Sequence, residues 1–75
     1  MDEELPEEHL PRIACILSLL NQAKAPADLD IKGFGFDALG GKRKGTYSMR
    51  VSGLHRITFR FEGEDVTDVD FEEHP

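Results

Sequence analysis

The spacing of apolar residues changes once along the chain, from a helical repeat to an alternating one. In residues 9–24 the apolar residues recur three and four positions apart and form one stripe, made of Leu10, Ile13, Ile16, Leu17, Leu19 and Leu20. Pro11 suits the first turn of a helix, and Pro26 ends it because proline cannot continue the hydrogen-bond ladder. The pattern predicts one amphipathic helix over residues 9–24, with its apolar face on a sheet.

After a loop, the pattern alternates with period two, which is typical of strands. Residues 33–37, GFGFD, are predicted to be a short strand with both phenylalanines on one face. Three longer strands follow. Their predicted core-facing residues are Tyr47, Met49 and Val51 in the first, Ile57, Phe59 and Phe61 in the second, and Thr67, Val69 and Phe71 in the third. In the third strand, Val66, Asp68 and Asp70 are predicted to lie on the opposite face. The predicted fold is α+β, with one main helix packed on an antiparallel sheet of three to four strands.

Charge adds a basic surface to this fold. The formal net charge is -6, yet residues 42–61 hold six of the nine Lys and Arg residues and no Asp or Glu. Alternation places Arg50, Arg56 and Arg60 on the face opposite the core, beside the basic loop 42–44. One interpretation is a surface that binds phosphate groups. The other is a solvated strand face, neutralised by cross-strand pairs of Arg56 or Arg60 with Asp68 or Asp70.

Size and composition restrict the class of protein. A chain of 75 residues forms one small domain of marginal stability. Cys15 is the only cysteine, so no internal disulfide can form, and its apolar surroundings predict a buried thiol in a reducing compartment. No apolar run approaches a membrane span, and no Cys/His cluster has metal-ligand spacing. The acidic residues 1–8 are expected to be a disordered leader, and the protein is expected to be cytoplasmic.

Three sequence strings carry a resemblance to a known family. They are LLNQAKAPADLDI, GFGFDALGGKRKGTYSMRVSG and HRITFRFEGEDVTDVDFEEHP, which together run almost without interruption to the last residue. In this order they resemble the HigB-type toxins, or killer proteins, of the RelE superfamily. The resemblance covers residues 12–75 and implies a RelE-like domain over residues 9–75.

The resemblance implies a function as well as a fold. Members of the family are toxins of type II toxin–antitoxin systems that cut translated mRNA on the ribosome, with the RNA 2′-hydroxyl as nucleophile. Such chemistry needs a base, an acid and cations around the phosphate, and no metal or other cofactor. The implied partners are a helix-turn-helix antitoxin, the ribosome and mRNA, and no membrane.

The resemblance also suggests roles for single residues. Arg56 matches the arginine of the family's RITF string and is predicted to contact phosphate. Glu73 and His74 lie in the C-terminal string and are the other catalytic candidates. The predicted RNA-binding residues are Lys42, Arg43, Lys44, Arg50 and Arg60.

Several positions depart from the family pattern. Asp37 stands where the family usually has a histidine, Gly40 where it has a lysine, and Pro75 where it has a terminal histidine. The sequence therefore supports two hypotheses: an mRNA-cleaving toxin with attenuated activity, or a catalytically impaired relative that binds an antitoxin or itself. The family's first strand and helix are missing before residue 9, which suggests an open sheet edge and a homodimer.

Overall fold

The computed structural model describes residues 10–73. This part of the chain contains one helix and four strands: α1 (Leu10–Gln22), β1 (Asp37–Ala38), β2 (Thr46–Arg50), β3 (His55–Glu62) and β4 (Asp65–Glu73). Short 3-10 helices, Pro26–Leu29 and Gly41–Arg43, precede β1 and β2. The strands form one antiparallel sheet in the order β1-β2-β3-β4. The predicted α+β fold is confirmed, whereas the leader predicted at residues 1–8 lies outside the described range.

Helix α1 packs a narrower apolar face on the sheet than its sequence predicts. Ile13, Ile16 and Leu20 are buried in the core, and each contributes about 1.5–3 kcal/mol by leaving water. Leu17 is 45% exposed, so the apolar stripe is wider than the buried face. Cys15 is also exposed, and the prediction that its thiol is buried is wrong. Successive helical residues are rotated by about 100°, which turns Cys15 away from the face that carries Ile16.

The first strand lies later in the chain than predicted. The prediction of a strand over residues 33–37 is wrong, because only Asp37–Ala38 pairs with β2. Gly33 and Gly35 have φ values of 96° and 59°, which interrupt an extended strand. A side chain at residue 35 would also lie 3.0 Å from the Cβ of Arg50. The flanking phenylalanines still pack against the core from this loop.

Arg12 holds that loop against the helix and β2. Its Nε donates a hydrogen bond to the Arg50 carbonyl oxygen (2.8 Å), and its Nη2 donates one to the Gly33 carbonyl oxygen (2.6 Å). The guanidinium carbon also lies 4.7 Å from the centroid of the Phe34 ring, within the range of a cation–π contact. The segment that leads into β1 is therefore fixed by a residue far away in sequence.

Strands β2 and β3 alternate as predicted. Met49, Val51, Ile57 and Phe59 are buried on the helix side, which we call the core face of the sheet. Tyr47 stacks on the Phe59 ring at 6.0 Å between centroids and joins the same cluster. The opposite side of these strands is the polar face, which carries the arginines.

Strand β4 does not keep a single alternation. The register shifts between Thr58 and Arg60 of β3, and β4 carries one extra residue there, as in a β-bulge. Asp68 lies at this point with a φ of 53°. Val66 and Phe71 consequently both pack against the core, although they are an odd number of residues apart. The prediction that Val66 lies opposite Phe71 is therefore wrong.

Candidate phosphate-binding pocket

The polar face of the sheet brings together the three strand arginines predicted from alternation. Arg50 pairs directly with Arg56 across β2 and β3, and Arg60 pairs with Thr46. Two like charges at opposite positions destabilise a sheet unless an anion lies near them. The arrangement therefore favours the binding of an anionic ligand or an acidic neighbour.

Hydroxyl groups lie beneath these arginines. Thr46, Ser48 and Thr58 are all buried, although they lie on the polar face of the sheet. Arg56 donates from Nη1 to the Ser48 Oγ (3.3 Å), and Arg60 donates from Nη1 to the Thr46 Oγ1 (3.0 Å). A guanidinium has five N–H donors, so each arginine keeps further donors for a ligand. The hydroxyls thus orient the cations while leaving most of their donors unused by these bonds.

Glu72 supplies an acidic neighbour on this face. It pairs with Arg56 across β3 and β4, and it accepts a hydrogen bond from the Thr58 Oγ1 at 2.8 Å. Arg43 reaches it from the connection between β1 and β2, with two parallel N–H···O bonds of 2.9 and 2.7 Å. The hydrogen bonds from Arg43 and Thr58 lower the pKa of Glu72 to about 2, and the bond to Glu72 raises the pKa of Arg43. Glu72 is therefore ionised throughout the physiological pH range.

These groups surround a cavity of about 260 Å³, which we call the Glu72 pocket. Leu39 and Gly40 line it together with the polar residues Arg43, Ser48, Arg56, Thr58 and Glu72. Two guanidinium groups and two hydroxyl groups suit the oxygen atoms of a phosphate. The Glu72 carboxylate repels a phosphate, so the pocket combines groups that suit an anion with a side chain that is itself anionic.

The predicted site residues fall into separate groups. Arg43 and Arg56 line the Glu72 pocket, and Arg50 and Arg60 lie on the same polar face. Lys42 and Lys44 flank Arg43 and are exposed.

Of the two C-terminal catalytic candidates, Glu73 does not line the pocket. Glu73 pairs with His55, whose ring stacks on Phe71, so it belongs to the core-face side of β4. His74 lies outside the described residues. The carboxylate that accompanies Arg56 is thus that of Glu72 rather than that of Glu73.

Sequence reasoning missed Glu72, Ser48 and Thr58. The cross-strand pairs predicted for Arg56 and Arg60 with Asp68 or Asp70 are also wrong, because the register places Glu72 and Thr67 opposite them. Among the described residues, an ion pair on this face joins Glu72 to Arg43 instead. The alternation did indicate where Ser48 and Thr58 lie, since each is on the same side of its strand as the neighbouring arginines.

Residues 10–73 contain neither a membrane-spanning helix nor a cluster of metal-ligating side chains. No helix there is long and apolar enough to cross a membrane. Among the same residues, no three His, Cys, Asp or Glu side chains are grouped closely enough to hold a metal ion.

Comparison with known proteins assigns a family. Residues 2–74 match the family of HigB-like toxins, described as the RelE-like toxin of type II toxin-antitoxin system HigB. Among curated proteins, none is significantly similar to the chain. The family match covers nearly the whole sequence and agrees with the resemblance carried by its three motif strings.

Proposed function

Because the chain belongs to the HigB-like toxins of type II toxin–antitoxin systems, we propose that it is an attenuated endoribonuclease that cleaves translated mRNA on the ribosome. The observation that carries this proposal is the Glu72 pocket, where Arg43 and Arg56 converge above two buried hydroxyls. In the reaction, a 2′-hydroxyl attacks the adjacent phosphorus and the 5′-oxygen of the next nucleotide leaves. Negative charge accumulates on the phosphate oxygens, and cations held in place beforehand stabilise it.

Arg56 is the residue proposed to contact the scissile phosphate. It lies on β3 in the middle of the sheet, and its bond to the buried Ser48 hydroxyl fixes its direction. Arg50, Arg60 and the lysines of the preceding loop extend the basic surface beyond the pocket. These groups would bind the neighbouring phosphates of the RNA strand.

The proposal that the cleavage activity is attenuated rests on the groups available for proton transfer. The reaction needs a base that takes the 2′-hydroxyl proton and an acid that protonates the leaving 5′-oxygen, and an efficient base has a pKa near the working pH. Glu72 is the carboxylate inside the pocket, and its pKa of about 2 makes it a weak base. Glu73 belongs to the other side of β4, so it would need a change in the strand to reach Arg56.

Ribosomes programmed with a defined mRNA test this proposal, with cleavage sites and rates read by primer extension. We expect the Arg56→Ala variant to cleave about 10–150 times more slowly, the equivalent of one lost charge-assisted hydrogen bond of about 1.5–3 kcal/mol. Lys24→Ala removes an equal charge from an exposed residue just after α1 and is the matched control. Absence of ribosome-dependent cleavage by the unaltered, folded protein would contradict the proposal.

The second candidate function is binding of a partner without catalysis, and an apolar groove favours it. Cavities of about 430 and 240 Å³ adjoin each other between α1 and β4, and both are lined by Leu17 and Val69. These two side chains are 45% and 48% exposed. Glu64 and Asp65 border the groove, so its chemistry suits a basic amphipathic segment. We propose the antitoxin as its occupant, and pairing with a second copy of the chain is the alternative outcome of the binding test.

A further inference from the structure

We propose that Glu72 is an internal competitor for phosphate, so that its carboxylate occupies the anion site that Arg43 and Thr58 form with Arg56. This inference rests on the proposed function, since it concerns the regulation of the same pocket. It adds a role for a residue that neither the motif strings nor the charge pattern identified. The consequence is a site that binds RNA more weakly than its arginines alone would allow.

The contacts of Glu72 are those that a phosphate oxygen would make. One guanidinium binds it with two parallel bonds of 2.9 and 2.7 Å, a geometry that carboxylates and phosphates share. The Thr58 hydroxyl donates a third bond of 2.8 Å from the buried floor of the pocket. A phosphate entering the pocket must therefore displace the carboxylate from these donors or remain near a fixed negative charge.

The position of Arg43 makes such an exchange feasible. Its side chain is 49% exposed, and it ends a short 3-10 helix that follows Gly40. Glu72 is less exposed, at 30%, and belongs to the longest strand. Arg43 can thus turn toward solvent and a ligand, while the carboxylate is held by the sheet. Arg56 contributes its remaining donors from the pocket wall.

Neighbouring residues provide matched variants. Glu72→Gln removes the charge and keeps the side-chain length, and Glu73→Gln makes the same change on the other side of β4. Arg43→Gln breaks the same ion pair by removing its positive charge. If the pair were only structural, Glu72→Gln and Arg43→Gln would change RNA binding in the same direction. If Glu72 competes with phosphate, they change it in opposite directions.

The probe is a single-stranded RNA hexamer with 2′-O-methyl groups, which cannot be cleaved, and binding is measured by fluorescence anisotropy at fixed salt. We expect Glu72→Gln to bind it about tenfold more tightly, as removal of one charge near a bound phosphate predicts. Arg43→Gln should bind several-fold more weakly, and Glu73→Gln should differ little from the unaltered chain. Inorganic phosphate should compete with the hexamer at lower concentration in Glu72→Gln than in the unaltered chain.

Other results would overturn the inference. Equal tightening by Glu72→Gln and Glu73→Gln would indicate an effect of net charge alone, and weaker binding by Glu72→Gln would indicate that the carboxylate only positions Arg43. Circular dichroism checks that each variant is folded. If Glu72→Gln does not fold, Glu72→Met replaces it as the neutral variant. Cleavage is measured separately on ribosomes. If Glu72→Gln binds the hexamer more tightly but the protein does not cleave mRNA, the enzymatic function is rejected and competition by Glu72 is supported. If the protein cleaves mRNA but Glu72→Gln does not bind more tightly, the enzymatic function is supported and competition is rejected.

Discussion

Arg12 shows how a single side chain organises this small protein. It is a cation on a helix that otherwise buries aliphatic residues, and it binds two backbone carbonyls and one aromatic ring. Those contacts connect α1 with the loop before β1 and with the end of β2. Nothing in the sequence distinguishes it from a solvated surface arginine, because all its partners are distant in the chain.

Replacement of Arg12 should therefore reduce stability. We expect Arg12→Met to lower the free energy of unfolding by about 2 kcal/mol, since it loses charge-assisted hydrogen bonds and a cation–π contact. Urea denaturation followed by circular dichroism measures this change. Lys24→Met is the control, and an equal loss of stability in both variants would contradict the role given to Arg12.

Glu72 should make stability depend on pH in an acidic range. Its pKa is about 2 in the folded chain against an ordinary value of 4.5, so its contribution is complete above pH 4.5 and is lost as the pH falls toward 2. Because the ion pair with Arg43 is partly exposed, we expect this contribution to be about 1 kcal/mol. Urea denaturation at pH 6 and pH 3 should show a smaller acid-induced loss in Glu72→Gln than in Glu73→Gln. Identical losses in the two variants would refute the assignment.

At the scale of elements, the irregularity in β4 determines which side chains reach the pocket. The extra residue near Asp68 reverses the alternation, so that Val66 and Phe71 both face the core. Beyond the bulge, Glu72 falls in register with Arg56 on the polar face. In a regular strand, side chains an odd number of positions apart lie on opposite faces, so either Val66 or Phe71 would have pointed away from the core.

Substitutions at Asp68 test the bulge. Its φ of 53° lies in the left-handed region, which asparagine, aspartate and glycine tolerate and β-branched residues do not. Asp68→Val should destabilise the protein by about 1–2 kcal/mol despite the high strand propensity of valine. Asp68→Gly should be close to neutral, and Thr67→Val is the control at the neighbouring position. Thermal unfolding in which Asp68→Val is as stable as Thr67→Val would contradict the strained conformation.

At the scale of the whole molecule, basic and apolar surfaces occupy different places. The arginines lie on the polar face, and the exposed apolar groove lies on the other side, between α1 and β4. RNA and a protein partner could therefore bind the same molecule at separate surfaces. This separation allows binding of a partner to be tested without changes to the pocket.

Leu17 is the residue for that test. We expect Leu17→Gln to weaken binding of the antitoxin at least about tenfold, since an interfacial leucine contributes about 1.5–3 kcal/mol by burial. Leu54→Gln is the matched control, because Leu54 is 53% exposed in the turn between β2 and β3 and does not line the groove. Calorimetric titration measures the affinity, and light scattering after size exclusion detects a homodimer that Leu17→Gln would disrupt. Unchanged binding in both assays would exclude the groove as the interface.

Much of the fold could be predicted from local patterns. The helical repeat around Ile13 and Ile16, and the alternation through β2 and β3, follow from the burial of one face of each element. The grouping of Arg50, Arg56 and Arg60 follows from the same alternation. The motif strings also indicated the HigB-like family that the comparison found.

The sequence by itself determined helix α1 and the two faces of β2 and β3, because these depend on neighbours within a few residues. It also determined the family, through its three motif strings. The tertiary structure alone decided the identity of the pocket carboxylate. Glu72 and Glu73 are adjacent and chemically alike, and only the bulge near Asp68 and the register with β3 place one of them opposite Arg56. The reach of Arg43 to Glu72 and the contacts of Arg12 likewise join distant residues, and no local period encodes such distances.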